Sequence, residues 1–590
     1  MPFAPARALM SGNEAAARGA YEFNVKVAAG YPGTPSTEIL ETLSLYKEDV
    51  YCEWSPNEKV ALEVAAGAAL AGARAVAAMK HVGLNVAADP LMTLSYIGVN
   101  AGLVVIVADD PGMHSSQNEQ DTRQYARFAK IPLLDPSDSQ EMKDYLGIGL
   151  DISEQFRTPV LLRSTTRISH SKSVVSLGER RGLGPPIGYV KDPARFVSVP
   201  SHARNMRVRV GRRLDQLAAF ACGDTRLNTI IHGSDEIGII SSSVAYQHAA
   251  EAFPEASFLK LGMPYPFPDE LIRRFAAGVR RILVVEELDP FIEEHVKALG
   301  IACAGKDVVP ATGELDVGIM RAVRSAWLGE PADAQPAIAP ADVPPRPPVL
   351  CPGCPHRAVF AELKRHKPVI IGDIGCYSLA VFPPLESMDM LLCMGAGISA
   401  AHGAARSGTT QKIVGVIGDS TFFHSGITGL LDIGWNKSNV TIIVLDNRTT
   451  AMTGHQVHPG LGRTLMGATV READIAAFGR ACGINRIREV DPLKLDELRQ
   501  AISDELDAGE PSLIIARRPC VLLSREHRTF HLAVDEARCT GCGACLRLAC
   551  PSHEKVMIDA KNYRVRINPA MCVACGLCPQ VCPAGAITRG

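Results

Sequence analysis

The sequence has almost no excess of charge of either sign: 61 Lys and Arg stand against 63 Asp and Glu, a formal net of −2. No basic field is present to draw in nucleic acid. Long apolar runs are missing too. GLVVIVA (102–108) and VTIIVL (440–445) fall far short of the roughly 20 residues a membrane helix needs. The opening MPFAPARALMSGNEAAARGAYEF lacks an apolar stretch of signal-peptide length. The expectation is a soluble, cytoplasmic protein with neither membrane nor nucleic acid as partner. Cysteine is sparse through residue 538, with nine scattered copies, and then eight crowd into residues 539–590.

What is present is ordinary globular material, 47% hydrophobic and 21% charged. A length of 590 residues suggests roughly four domains. Over the first 170 residues, short apolar segments at 25–31, 73–80, 102–109 and 159–164 alternate with helical stretches such as 58–72 and 139–150. Such alternation predicts a parallel sheet covered on both faces. The pattern returns over 205–330, with NTIIHG (228–233), a helix, SFLKLG (257–262), a helix and RILVVEE (281–287). A proline-rich stretch at 331–348 reads as a linker. A third α/β unit follows, with strands at 368–375, 412–418, 439–447 and 512–518. The expected domains are 1–200, 201–330, the linker, 349–528 and a tail at 529–590.

The tail reads Cys539-x2-Cys542-x2-Cys545-x4-Cys550-Pro551, then Cys572-x2-Cys575-x2-Cys578-x3-Cys582-Pro583. Three thiolates spaced by two residues can wrap one cluster, and the fourth, beside proline, ligates the other cluster in two-cluster ferredoxins. One 4Fe–4S cluster is therefore expected on Cys539, Cys542, Cys545 and Cys582, and a second on Cys572, Cys575, Cys578 and Cys550. Paired zinc sites share the C-x2-C spacing, but the doubled three-plus-one pattern argues for clusters. Such a module carries single electrons, so a redox reaction is expected elsewhere in the chain.

In the third unit, Gly418-Asp419-Ser420 ends one strand segment and Asn447 follows 28 residues after Asp419, at the end of another. This resembles the magnesium and diphosphate signature of thiamine-diphosphate enzymes, with serine where a last glycine is usual. The resemblance implies Asp419, Asn447 and the main-chain carbonyl of Thr449 as Mg²⁺ ligands. Thiamine chemistry also needs a carboxylate against the aminopyrimidine. Glu58, at the head of a helical segment, is the candidate and Glu63 its rival. Either is otherwise a helix carboxylate favoured near the N-terminus by the dipole.

Longer motifs run through the whole chain in one order: GYPGTPSTE (30–38), MKHVGLN (79–85), DDPGMHSSQNEQDTRQ (109–124), CPGCPHR (351–357), GDIGCYSL (372–379), GDSTFFHSG (418–426) and TTAMTGHQVHPG (449–460). With the tail, they resemble the 2-oxoacid:ferredoxin oxidoreductases, and among these the alpha subunits of indolepyruvate ferredoxin oxidoreductases. The resemblance implies α/β thiamine-type domains plus a ferredoxin-like tail, with Thr34 beside the substrate carboxylate and Glu58 on the pyrimidine. It also implies that Met452 and Thr453 lie near the cofactor. His455 and His458 are candidates for substrate contact or proton transfer; Lys80, His81 and His114 are candidates for meeting an anionic substrate.

By context, Cys351, Cys354, Cys376 and Cys520 match a third, proximal 4Fe–4S set; the alternative is that they are small buried residues. Cys52, Cys222, Cys303, Cys393 and Cys482 read as packing. The implied activity is oxidative decarboxylation of an arylpyruvate to an acyl-CoA, with coenzyme A as cosubstrate and electrons passing to ferredoxin. A smaller beta subunit is implied as partner, in paired heterodimers. Another 2-oxoacid, a non-oxidative decarboxylase and a purely electron-transferring subunit are the rival readings.

Overall fold

The computed structural model describes residues 6–182, 188–331, 347–523 and 530–590. The chain divides into two compact units, Met1–Ala339 and Pro340–Gly590. The expected linker lies, for residues 332–346, outside the described residues.

The first unit is built around a six-stranded sheet in the order Tyr51–Trp54, Val27–Gly30, Ala75–Lys80, Leu103–Asp109, Val160–Thr165, Leu133–Leu134. All its pairings are parallel. Ala75–Lys80, Leu103–Asp109 and Val160–Thr165 are buried at every position, which is why they read as unbroken apolar runs rather than as alternation. Glu58–Leu70 and Ser139–Phe156 are helices, with Asn57 and Asp138 as N-caps accepting from Val60 and Glu141.

A four-stranded sheet follows in the same unit, ordered Arg281–Val285, Ser234–Ser241, Ala256–Leu261, Asn228–Ile231, with the last strand antiparallel. Here the structure departs from the sequence reading. NTIIHG leads not to a helix but to the strand Ser234–Ser241, and the helix Ser243–Ala252 comes after it. Asp235, Glu236 and Gly238 depress the strand signal. Gly238 is there for room, since a Cβ on it would lie 2.6 Å from Val279.

The second unit holds a five-stranded parallel sheet in the order Val369–Ile371, Ile413–Gly418, Thr441–Asp446, Ser512–Arg517, Arg486–Val490. The edge strand Arg486–Val490 escapes sequence reading because its side chains are half-buried and charged. The tail contributes two small antiparallel pairs, Leu532–Val534 with Ile587–Arg589 and His553–Met557 with Tyr563–Ile567. It packs against the sheet domain rather than standing apart. Phe360, Leu363, Ile502, Leu548, Ile567 and Leu577 share one core, and Gln580 accepts from the Leu495 N–H at 3.1 Å. Among the described residues no helix is long and apolar enough to cross a membrane.

Candidate active site and cluster cavities

In each parallel sheet the chemistry-bearing residues stand just past strand carboxyl ends, where open α/β sheets place their ligands. In the first unit Thr34 follows Val27–Gly30, Glu58 follows Tyr51–Trp54, and Lys80 and His81 close Ala75–Lys80. Glu58 is the first residue of its helix and only 6% exposed. Gly83 makes that burial possible, because a Cβ there would sit 2.5 Å from Glu58 Oε1. Glu63 is on the surface, paired with Lys59. Thr34 is half-buried and its carbonyl accepts from Ser115 Oγ at 3.1 Å.

Lys80 donates to the Ser115 carbonyl at 2.7 Å, and burial pulls its pKa down to about 8 against the opposing pull of Asp110. His81 is buried, with Nδ1 at 3.3 Å from the Ala108 carbonyl and Nε2 without a partner. His114 is exposed and lies 3.1 Å from Glu314.

In the second unit four neighbouring strands end on the expected ligands. Cys376 lies beyond Val369–Ile371, Asp419 directly after Ile413–Gly418, Asn447 directly after Thr441–Asp446, and Cys520 beyond Ser512–Arg517. Asp419 accepts from the N–H of Ser420 at 2.9 Å, from the N–H of Arg448 at 2.8 Å and from His458 Nε2 at 3.1 Å. Burial presses the Asp419 pKa upward, but the bond and charge of His458, together with the Asp446 bond and the Ser420 N–H, hold the carboxyl below its ordinary range. The adjoining Asp446, salt-bridged to Arg517 at 2.7 Å, is pushed up by burial and by Asp419. Asn447 Oδ1 accepts from Thr449 N–H at 3.2 Å. Carboxylate and amide oxygens on adjacent strand ends are a donor set that suits a hard divalent cation.

Gly460 N–H donates to His458 Nδ1 at 3.2 Å, so both ring nitrogens of His458 are occupied, Nε2 by Asp419. His455 sits at φ 69°, with Nδ1 buried and unpartnered. Ser420 Oγ accepts from Thr450 at 2.8 Å, Thr453 donates to Gln456 at 2.5 Å, and Met452 is exposed.

Three residues of this neighbourhood escaped the motif reading. His356 Nε2 lies 3.5 Å from Asn447 Nδ2, and burial lowers its pKa to about 4, leaving a neutral ring. Tyr377 accepts the Gly418 N–H at 2.8 Å, bracing the turn that leads into Asp419. Arg357, 1% exposed, bonds to main-chain carbonyls on both sides of the tail contact. Their only sequence signal is adjacency to cysteine, in CPGCPHR and GDIGCYSL.

The tail encloses two cavities. One is lined by Cys550, Cys572, Cys575 and Cys578. The other is lined by Cys539, Cys542, Cys545 and Cys582. Each gathers three cysteines of one run and the last of the other. Among the described residues no group of three or more His, Cys, Asp or Glu side chains converges as for a single metal ion; the sulfurs surround a space instead, which suits a multi-iron cluster. Main-chain N–H groups already point at sulfur, from Leu532 and Ala574 to Cys572 Sγ at 3.4 Å and from Ala586 to Cys582 Sγ at 3.3 Å. Such bonds help set cluster potential.

Cys351, Cys354, Cys376 and Cys520 lie within electrostatic range of one another, and Cys354 N–H bonds to the Cys351 carbonyl at 3.1 Å. Burial pushes the thiols of Cys354 and Cys376 up to about 12 and about 11, so loading them with metal must release protons. Cys520 N–H bonds to the Asn447 carbonyl at 2.8 Å, tying Cys520 to the strand end that carries Asn447. Of the five cysteines expected to be packing, Cys52 and Cys482 are buried and Cys222 and Cys303 partly so, but Cys393 is exposed.

Fold and site together define a thiamine-diphosphate enzyme of the 2-oxoacid oxidoreductase class with its own iron–sulfur module. The family model "Pyruvate flavodoxin/ferredoxin oxidoreductase, thiamine diP-bdg" matches residues 18–188. "Thiamine pyrophosphate enzyme, C-terminal TPP binding domain" matches 373–516, and "4Fe-4S dicluster domain" matches 523–586. "Indolepyruvate oxidoreductase subunit IorA" of Methanothermobacter thermautotrophicus is 42% identical, over 98% of this chain and 96% of that one. The same-named protein of Pyrococcus horikoshii is 40% identical over 99% and 97%. "2-oxoglutarate synthase subunit KorA" of M. thermautotrophicus is 25% identical over 52% of this chain and 94% of that one. The chain belongs to the family of indolepyruvate oxidoreductase IorA subunits, within the thiamine-dependent 2-oxoacid:ferredoxin oxidoreductases.

Proposed function

We propose that the chain is the catalytic subunit that oxidatively decarboxylates indolepyruvate, or a closely related arylpyruvate, to an acyl-CoA and CO₂ and delivers the electrons to ferredoxin. The observation that carries this reading is the row of strand ends bearing Cys376, Asp419, Asn447 and Cys520, on the same unit as the two four-cysteine cavities. A thiamine site without electron transfer has no use for that alignment, so it disfavours a non-oxidative decarboxylase.

In this reading segment 1–200 holds the pyrimidine, 349–528 the diphosphate and Mg²⁺, and 529–590 two 4Fe–4S clusters. Asp419, Asn447 and the Thr449 carbonyl hold Mg²⁺, and Gly418 and Ser420 line the diphosphate. When bound, thiamine diphosphate supplies the electron sink that lets a 2-oxoacid lose CO₂. Glu58 holds a proton against the aminopyrimidine nitrogen, favoured over the solvated Glu63 by its burial. Thr34 and Lys80 meet the substrate carboxylate, and His455, with its free Nδ1, is the candidate for moving a proton near the reacting carbon. Met452 and Thr453 flank the cofactor.

Cys351, Cys354, Cys376 and Cys520 hold a third cluster between the magnesium loop and the tail. A smaller beta subunit completes the enzyme, as the subunit names of the relatives suggest.

The test is anaerobic purification with the beta subunit, followed by iron and thiamine quantification and CoA-dependent ferredoxin reduction. About twelve iron atoms per chain support three clusters and about eight support two. Faster turnover of pyruvate or 2-oxoglutarate than of indolepyruvate would overturn the substrate assignment.

A further inference from the structure

We propose that Arg357 is a built-in counter-charge on the electron route: its guanidinium, sealed between the Cys351–Cys354 turn and the cavity of Cys550, Cys572, Cys575 and Cys578, favours the reduced state of the cluster held in that cavity. The inference rests on the reading that these four cysteines hold a four-iron cluster, and it adds a potential-setting residue to that reading.

Arg357 is among the most deeply buried large side chains of the protein and itself lines the cavity. Its N–H groups go to main-chain carbonyls: Nε to Cys351 at 3.0 Å, one terminal nitrogen to Leu548 at 3.3 Å and to Ala549, the other to Leu350. These partners offer dipoles, not charge. The cavity it lines is shared with Cys550, Cys572, Cys575 and Cys578, and Cys550, Cys354, Cys351 and Cys575 lie within electrostatic range of it, while burial lowers the guanidinium pKa. Gly353 lets the cysteine turn come this close. It sits at φ +72°, and a Cβ there would fall 2.2 Å from Val573 in the tail loop.

Among the described residues no carboxylate pairs with this buried guanidinium, and such a cation is costly unless an anion lies beside it. A four-cysteinate 4Fe–4S cluster is already an anion when oxidised. A single electron, released by oxidation of the 2-oxoacid, makes it more negative by one, while no bond breaks and no proton moves. In a low-dielectric setting the guanidinium then stabilises the reduced form. The same side chain clamps the helix start to the tail, so a clamp alone is the competing explanation.

The experiment uses the anaerobic holoenzyme with its beta subunit, comparing wild type, R357K and R357Q by iron content, thermal melting and EPR-monitored redox titration. Both variants lose the clamp, and both should melt lower. R357Q should shift the reduction equilibrium of one cluster about tenfold toward the oxidised form, about 59 mV for a one-electron couple, whereas R357K should shift it by less than about threefold. A full-iron R357Q with an unchanged midpoint, or an R357K that falls as far as R357Q, overturns the proposal. Wild-type enzyme labelled with ¹⁵N-arginine needs no variant: pulsed EPR of the reduced clusters should show arginine nitrogen coupling, and its absence also overturns the proposal. Wild-type protein lacking four-iron signals would sink the cluster assignment itself, and the proposal with it.

Discussion

In the amino-terminal unit Arg163 and Arg123 lie almost wholly out of water, and each is met by carboxylates. Arg163 reaches Asp109 at 2.7 Å and Asp135 at 3.1 Å; Arg123 reaches Asp121 at 2.6 Å and Glu286 at 2.5 Å. In the carboxy-terminal unit Arg357 is as deeply buried but has carbonyls and sulfurs around it. The first arrangement is closed. Each guanidinium is held by two carboxylates, and the pairs join the two sheets of one unit. The second is open, facing a proposed cluster that is already anionic when oxidised and gains one further negative charge during turnover. Similar burial of the same side chain thus serves permanent structure in one unit and a changing charge in the other.

The sharpest separation, within the carboxy-terminal unit itself, should come from Asp419→Ala. Loss of a magnesium oxygen at a strand end should abolish 2-oxoacid oxidation and thiamine retention, while the tail chromophore persists because its cavities are lined mainly by the tail's own residues. Retained activity in excess Mg²⁺ would remove Asp419 from the metal site.

Glu58→Gln should still bind thiamine diphosphate yet lose roughly 10²–10⁴-fold in turnover, the range for a general acid–base group. A larger defect in Glu63→Gln would transfer the role to the exposed carboxylate. Arg163→Ala tests the closed network of the same unit. Removing one partner strands Asp109 and Asp135 in the core and should cost about 3–5 kcal/mol, read as a lowered melting transition with the cluster spectrum unchanged.

Cys376→Ala addresses the open side of the comparison. It should lower iron by about four atoms per chain and slow ferredoxin reduction more than CO₂ release. Full iron content would return the proximal four to packing. The mildest effect concerns Lys80, whose pKa burial lowers from 10.5 to about 8. The folded protein therefore binds this proton less tightly than the unfolded chain, and stability should rise with pH between about 8 and 10.5. Substrate affinity should move the other way, with KM for the anionic 2-oxoacid increasing above about pH 8 and Lys80→Met flattening that limb.

Much of this was legible in one dimension. Buried parallel strands show as apolar runs, and cluster ligands show as spacing, because a cluster needs several thiolates from one short loop. The strand Ser234–Ser241, in the second sheet of the amino-terminal unit, did not show, since its glycine and acidic pair answer to neighbours that the local sequence does not contain.

The sequence by itself determined the three α/β segments, the doubled three-plus-one cysteine runs and the placing of Asp419 and Asn447 at strand ends, all of which depend on spacing along the chain. Tertiary structure alone decided that Glu58 is buried and Glu63 exposed, that His458 bonds to Asp419, that Cys393 lies on the surface, and that the tail docks through Arg357. Each of those turns on which groups lose contact with water when distant segments meet, and desolvation is a property of the packed molecule rather than of the order of its residues.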